Sequence, residues 1–302
     1  MLGRTRNRHK SKVIKKMNHP QYIRIETTNV CNLKCKMCFH STENDKKFKK
    51  GFIEKALFEK IVDQLVKYPE TKNAYFALHI GGEPLLHKDI MHFIKYSRRN
   101  GFKPVLVTNG TLLAAEKSEE LIRAGLFKIE FSFEGFDKET YESYRVGSDF
   151  GKVGANVDNF LELNKKYGKP VKTELVVVDL PNVSEEKKKK FISEMEKKGF
   201  DKINLSGFFD WLGKIDSPEK NLEGEYRGCN VLDSDLNILF DGTVVPCCMD
   251  VYGELPLGNF NSMTYEEIRE SEASQKLRNQ LKSGELDGLI CEKCLNPWGG
   301  RK

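Results

Sequence analysis

No apolar run in this 302-residue chain approaches the length of about 18 that a membrane-spanning helix needs. The N-terminus also lacks the apolar centre of a secretory signal. Both absences point to a soluble, cytoplasmic protein with no membrane partner. Acidic residues are missing from Gly3 to Lys16 (GRTRNRHKSKVIKK), which holds part of the formal net charge of +6. Stacking aromatics do not interleave it, so residues 1–20 read as a basic, flexible, solvated tail and a nucleic-acid partner is not expected. Cysteine is scarce, with eight in the chain. In a chain this large, with no secretion signal and with metal-type spacings, they argue for metal ligation and against a disulfide framework.

What is present from about Tyr22 onward is an alternation of short apolar strands with amphipathic helices. The strand candidates are YIRIET (22–27), AYFALHI (74–80), PVLV (104–107), KIEFSF (128–133), KTELVVV (172–178) and KINLS (202–206). Between the first two, Ile53, Leu57, Ile61 and Leu65 recur at four-residue spacing, with Phe58 and Val62 broadening the stripe, as a core-facing helix requires. The segment SEELIRAG predicts a helix with Ser118 as N-cap and Gly125 just past its end. In EEKKKKFISEMEKKGF, Phe191, Ile192 and Met195 form the apolar side and the lysines a solvated face. Six βα repeats predict an α/β fold with a parallel sheet, rolled or open, and helices outside. The rhythm stops after Ser206. Residues 207–228 read as a connection, and residues 229–302 as short strands, turns and one helix around TYEEIRESEASQKLRNQL, a segment small enough to need a metal staple.

The cysteines of CNLKCKMC, Cys31, Cys35 and Cys38, follow the first strand. Three thiolates on a tight loop can hold three irons of a cubane [4Fe–4S] cluster and leave the fourth iron open. On spacing alone, structural zinc with His40 as fourth ligand is the alternative. Cys-x₃-Cys-x₂-Cys followed by Phe39 resembles the signature of the radical S-adenosylmethionine (SAM) superfamily. Gly81-Gly82-Glu83-Pro84 after the second strand, Thr108-Asn109-Gly110 after the third and Ser132-Phe133-Glu134-Gly135 after the fourth resemble further motifs of that family, in its order. All lie where βα folds build their sites.

The resemblance implies a partial (βα)₆, TIM-like barrel over residues 21–206. It implies SAM chelated to the open iron of a cluster on Cys31, Cys35 and Cys38. Gly81, Gly82, Glu83 and Pro84 would receive the SAM amino group, and Phe39, Thr108, Asn109, Ser132 and Glu134 would complete its site. It further implies an electron from a flavodoxin- or ferredoxin-type donor, cleavage of SAM to methionine and a 5′-deoxyadenosyl radical, and hydrogen abstraction from a substrate C–H bond. Arg145 reads either as a bidentate partner for a carboxylate of SAM or substrate, or as a surface partner of Glu142. His79 and His87 flank the glycine motif as supporting or surface groups.

Cys229, Cys247, Cys248, Cys291 and Cys294 remain. Four of them can close a tetrahedral zinc or a fully ligated second [4Fe–4S] cluster. The stretch LFDGTVVPCCMDVYGELPLGNF and the closing CEKC resemble the SPASM/twitch extensions of radical SAM enzymes. The cysteines are too few for a full SPASM extension. The twitch type, with one auxiliary cluster, fits Cys229, Cys247, Cys291 and Cys294, and the likeness is greatest to twitch enzymes acting on aminocyclitols and aminoglycosides. Adjacent side chains on an extended segment leave opposite faces. Cys248 is therefore spare, as a small buried hydrophobe or a hydrogen-atom donor, and a shift of one residue would exchange it with Cys247.

These readings favour a radical SAM oxidoreductase that dehydrogenates a carbinol of a sugar or aminocyclitol, the auxiliary cluster taking an electron. Asp210 and Trp211 in FFDWLGK supply a candidate base and a substrate contact. An epimerase using Cys248 is the second reading. A ribosomal-peptide maturase is the third, lowered because only about 20 residues precede the first strand and a leader-binding domain is expected there. A zinc-stapled binding module is the reading from outside enzymology.

Overall fold

The structure, a computed structural model, describes residues 20–216 and 228–294. The expected basic tail up to residue 19, residues 217–227 of the connection, and residues 295–302 lie outside the described residues.

Strand β1 (Tyr22–Ile25) shows the rule that organises the sheet: Ile23 and Ile25 are fully buried in the main core, while Tyr22 and Arg24 turn to a cavity on the other face. The same alternation runs through β4 (Lys128–Ser132) and β5 (Lys172–Val178), while β2 (Tyr75–Ala77) and β3 (Pro104–Thr108) are buried almost throughout and Leu205 of the edge strand β6 (Lys202–Ser206) is exposed. These six strands pair in parallel and in sequence, from β1 at the centre to β6 at one edge. Residues of β1, β2, β4, β5 and β6 all line one cavity, so the parallel half is curled into a partial barrel.

The crossovers are α1 (Lys55–Val66), α2 (Ile90–Arg99), α3 (Ala115–Ala124), α4 (Lys138–Tyr144) with α5 (Phe150–Lys166), and α6 (Glu185–Lys198). In α1 the residues buried are Leu57, Phe58, Ile61, Val62 and Leu65, the stripe expected from the sequence, and Phe58 stacks on Phe93 of α2 with ring centroids 4.2 Å apart. Helix α3 begins earlier than expected. Ala114 is its N-cap, and Ser118 lies inside it, buried, with its hydroxyl unpartnered. The good helix formers Ala115, Glu116 and Lys117 extend the helix upstream, and Glu116 suits the positive end of its dipole. Gly125 closes it at φ +85°, as expected.

Beyond β6 the chain returns through α7 (Val231–Ser234) to β7 (Asp235–Ile238), which pairs in parallel with β1. Strands β8 (Thr243–Val245) and β9 (Gly258–Asn259) add antiparallel, giving nine strands in the order β6-β5-β4-β3-β2-β1-β7-β8-β9. The one helix expected near the C-terminus is two, α8 (Tyr265–Arg269) and α9 (Glu272–Ser283). Thr264 and Glu267 form a capping box on α8, and the Ser271 side chain accepts from Ser274 N to start α9, which divides the run. Among the described residues, no helix is long and apolar enough to cross a membrane.

Candidate active site

The loop after β1 carries Cys31, Cys35 and Cys38 onto the wall of a cavity of about 660 Å³. Its backbone is pinned at two points, Lys34 N to Val146 O at 3.0 Å and Lys36 N to Tyr144 O at 2.8 Å. Burial pushes the Cys31 thiol up to about 11 and the Cys38 thiol up to about 12, with neighbouring thiols adding to the effect and Arg145 opposing it. Three interacting, largely buried thiols that resist ionising alone are suited to a cationic centre that takes them as thiolates.

The glycine motif approaches this loop directly. Gly82 N donates to Thr28 O (3.1 Å) and Glu83 N to Val30 O (2.9 Å). A Cβ on Gly82 would sit 2.4 Å from Thr28 O and 2.5 Å from Val30 O, so only glycine fits. Gly81 N donates to Glu26 Oε1 at 3.2 Å, and the other Glu26 oxygen receives Phe240 N at 3.2 Å, which ties the C-terminal segment to the motif. Burial holds the Glu26 carboxyl at about 7.

Glu83 is buried and lines the cavity. Its carboxylate accepts from Thr108 Oγ1 (2.8 Å), Asn109 N (2.8 Å) and Leu85 N (3.1 Å), so it also fixes the Thr108-Asn109-Gly110 turn. Burial raises it to about 7 against those three donors. Phe39, Gly81, Gly82, Thr108, Asn109 and Ser132 line the same cavity. Pro84 is buried and opens a 3₁₀ turn behind the motif.

Arg145 departs from one of its two readings: it is not a surface partner of Glu142. It forms a buried pair with Glu134, Nε to Oε2 at 2.5 Å and Nη2 to Oε1 at 2.8 Å, and it lines the same cavity. Glu142 instead accepts from Phe150 N. His40 is corrected as well. Its Nδ1 lies 3.0 Å from Asp45 Oδ2 and its Nε2 2.9 Å from Gly81 O, so both ring nitrogens are used and neither can complete a Cys₃His zinc site. His87 is likewise structural, with Nε2 on Ile53 O and Nδ1 on Asp89 N.

A second cavity, of about 390 Å³, is lined by Cys229, Cys247, Cys291 and Cys294. The Cys291 thiol feels the charge of Cys294 and Cys229, and Cys247 that of Cys248 and Cys294. Among the described residues, no three His, Cys, Asp or Glu groups converge on one metal ion; a cubane places each thiolate on its own iron. Both donor sets are soft sulfur, which suits iron–sulfur clusters. Cys248 and Asp210 line this second cavity and not the first. Cys248 packs against the cluster of Phe39, Ile80, Leu239, Val245 and Val251. Asp210 Oδ1 accepts from Leu212 N at 3.0 Å, in a turn where Trp211 and Leu212 have φ of +53° and +61°. That unusual backbone directs Trp211 back to the first cavity, where Nε1 donates to Met37 O (2.9 Å) and the ring meets Phe39 edge-on at 5.0 Å. Tyr22, Arg24 and Phe209 line both cavities and so form the wall between them.

The inner face of the barrel is a polar layer that the motifs did not reveal. Tyr75 donates to Glu130 (2.8 Å), Lys128 bridges Glu130 (2.8 Å) and Glu174 (3.2 Å), Asn204 donates to Glu174 (3.1 Å), and Arg24 pairs with Asp235 (2.5 Å). His79 also lines the cavity, with its Nδ1 buried and without a hydrogen-bond partner. Burial, and then the charge of Arg24, lower His79 to about 4, so the ring is neutral. The sequence did hold a signal: parallel strands covered on both faces are near-uniformly apolar, whereas KIE, KTE and KIN alternate.

A family model described as the radical SAM superfamily matches residues 25–195, and one described as an iron–sulfur cluster-binding domain, SPASM, matches residues 229–295. Over 114 residues the chain is 37% identical to a tungsten-containing aldehyde ferredoxin oxidoreductase cofactor-modifying protein of Pyrococcus furiosus, covering 38% of this chain and 31% of that one. Over 158 residues it is 28% identical to a GTP 3′,8-cyclase of Clostridium botulinum, covering 52% and 47%. The chain thus spans less than half the length of these curated relatives. Among solved structures, BtrN in complex with AdoMet and 2-DOIA superposes with a TM-score of 0.63 at 19% identity, over 93% of this chain and 95% of that one. Streptococcus suis SuiB bound to precursor peptide SuiA gives 0.68 at 15%, over 86% and 67%. Native anSMEcpe with AdoMet and Cp18Cys peptide gives 0.63 at 22%, over 91% and 86%. At these identities the likeness is one of fold.

Proposed function

This chain belongs to the radical SAM superfamily and carries a SPASM module, and from that premise we propose that it dehydrogenates a carbinol carbon of a small, polar substrate, an aminocyclitol or a carbohydrate. Cys31, Cys35 and Cys38 hold the SAM-binding [4Fe–4S] cluster, and Cys229, Cys247, Cys291 and Cys294 the auxiliary one. Gly81, Gly82, Glu83, Thr108, Asn109, Ser132 and Phe39 surround SAM. When loaded, SAM and the first cluster supply a 5′-deoxyadenosyl radical that removes a hydrogen atom, and the second cluster supplies an acceptor for the remaining electron. A flavodoxin- or ferredoxin-type protein provides the reducing electron.

The observation that carries this reading is the inner polar layer beneath the three-cysteine loop, separated from the second thiol cavity by a single wall containing Arg24. Arg24, Tyr75, Glu130, Lys202 and Asn204 line that cavity, with Lys128, Glu174 and Asp235 pairing to them or to one another, an arrangement of donors and acceptors suited to hydroxyl and amino groups. His79, neutral and lining this cavity, takes the hydroxyl proton. Asp210 does not line that cavity, and this role does not fall to it. Trp211 and Phe39 exclude water. Cys248 also does not line it, which supports oxidation over epimerisation.

The test is anaerobic turnover of the reconstituted protein with a panel of aminocyclitols, sugars and peptides. Formation of 5′-deoxyadenosine together with a carbonyl product from a member of the first two classes is the expected result. Product formation from peptides alone would overturn the substrate class.

A further inference from the structure

Arg145 faces Cys35 across a short backbone bridge. The residues on either side of Cys35 donate to the residues on either side of Arg145, Lys34 N to Val146 O and Lys36 N to Tyr144 O. This holds the two backbone segments side by side, with Cys35 and Arg145 opposite each other. Glu134 takes Nε and Nη2, and Nη1, the one nitrogen of the fork turned away from Glu134, lies 4.0 Å from Cys35 Sγ. Because a guanidinium is planar and rigid, fixing two nitrogens fixes the third. Glu134 is itself held, its Oε1 accepting Val178 N of β5 at 3.2 Å. Both members are buried, at 7% and 1% exposure, where water does little to screen the charge.

We propose that Arg145 is a positioning residue that sets the reduction potential of the SAM-binding cluster, its Nη1 and fixed positive charge directed at the Cys35 sulfur and balanced by Glu134. Hydrogen bonds to cluster sulfurs and local net charge are the protein's levers on such potentials. Reduction adds one electron to the cluster, and a cation beside the sulfur favours the more negative state. The pair therefore eases loading of the electron that SAM cleavage consumes. The proposal rests on Cys35 ligating that cluster.

The experiment is an anaerobic redox titration of the full-length reconstituted protein followed by electron paramagnetic resonance. The first cluster is assigned by its spectral change on adding SAM, and the auxiliary cluster serves as internal control. Arg145→Gln is expected to lower the midpoint of the first cluster by at least tenfold in its reduction equilibrium, about 59 mV for one electron. Glu134→Gln is expected to raise it, Arg145→Lys to fall between wild type and Arg145→Gln, and the auxiliary midpoint to stay fixed. Full iron content with an unchanged midpoint in both glutamine variants, or shifts of the same sign in both, would overturn the proposal. Should Arg145→Gln fail to hold iron, Glu134→Gln decides: an upward shift supports the assignment and any other result overturns it. Cys35→Ala separates the premise, since retention of the SAM-responsive cluster in that variant would show that Cys35 is not its ligand.

Discussion

The two sulfur-lined cavities are built on opposite plans. The first takes its cysteines from one stretch, Cys31 to Cys38, pinned by backbone bonds to the end of α4 and braced by a glycine motif that tolerates no side chain. The second draws Cys229, Cys247, Cys291 and Cys294 from three separate segments, brought together only when β7 and β8 extend the sheet past β1. A local site can be assembled by one loop and left open on one side for a ligand. A site gathered from distant segments closes on itself and staples them. In this chain the first cavity, proposed as the open site, faces the polar barrel interior, and the second, proposed as the closed one, lies across Arg24.

That contrast can be broken at several points. The largest effects should come from the cysteines. Cys35→Ala is expected to abolish SAM cleavage altogether. Cys291→Ala is expected to keep the SAM-responsive cluster and slow SAM cleavage, stop carbonyl formation and loosen the C-terminal segment, as 5′-deoxyadenosine assays and limited proteolysis would show. Equal loss of SAM cleavage in both would contradict the division of labour.

Next, His79→Gln is expected to lower carbonyl formation by about 100-fold, in the range for loss of a proton acceptor, with SAM binding retained. Because the folded-state value is depressed to about 4, the folded protein binds fewer protons there than the unfolded chain does. Stability from this group is therefore present above the usual histidine range and is lost as pH falls from about 6.5 toward 4. Denaturant unfolding across that window should show a shallower acid loss in His79→Gln than in wild type.

Gly82→Ala comes third. With carbonyl oxygens 2.4 and 2.5 Å from the new carbon, it should cost about 1–3 kcal/mol of stability and weaken SAM binding, measurable by thermal unfolding and equilibrium dialysis. The smallest effect is expected for Cys248→Ala. Iron content and product stereochemistry should not change, and stability should fall by about 1 kcal/mol. An altered stereochemical outcome would return the epimerase reading.

Much of the first site was legible because its information is local. The spacing from Cys31 to Cys38, the paired glycines and the Thr108-Asn109-Gly110 turn are contiguous, and each lies at a strand end that the apolar pattern marks. The Glu134–Arg145 pair was not legible, because Arg145 lies beyond a helix whose termination decides which way its side chain turns. Ser118 misled for the opposite reason. A strong capping residue was outweighed by Ala115, Glu116 and Lys117 upstream. Asp210 was adjacent in sequence to the residue that reaches the first cavity, Trp211, yet the left-handed turn sends the two side chains to different cavities. The polar inner layer was visible as alternation in β4, β5 and β6, and His79 as a lone imidazole inside an apolar strand, but neither pattern states which face is the cavity.

The central claim is that the open site oxidises its substrate and the closed site receives the second electron. The most direct measurement is single-turnover reaction of an aminocyclitol or sugar alcohol in D₂O under anaerobic conditions, with the product analysed by mass spectrometry. The account predicts one carbonyl product per 5′-deoxyadenosine, two hydrogens poorer than the substrate, with no solvent deuterium delivered to the attacked carbon. A product of unchanged oxidation level carrying one deuterium at the attacked carbon would contradict it.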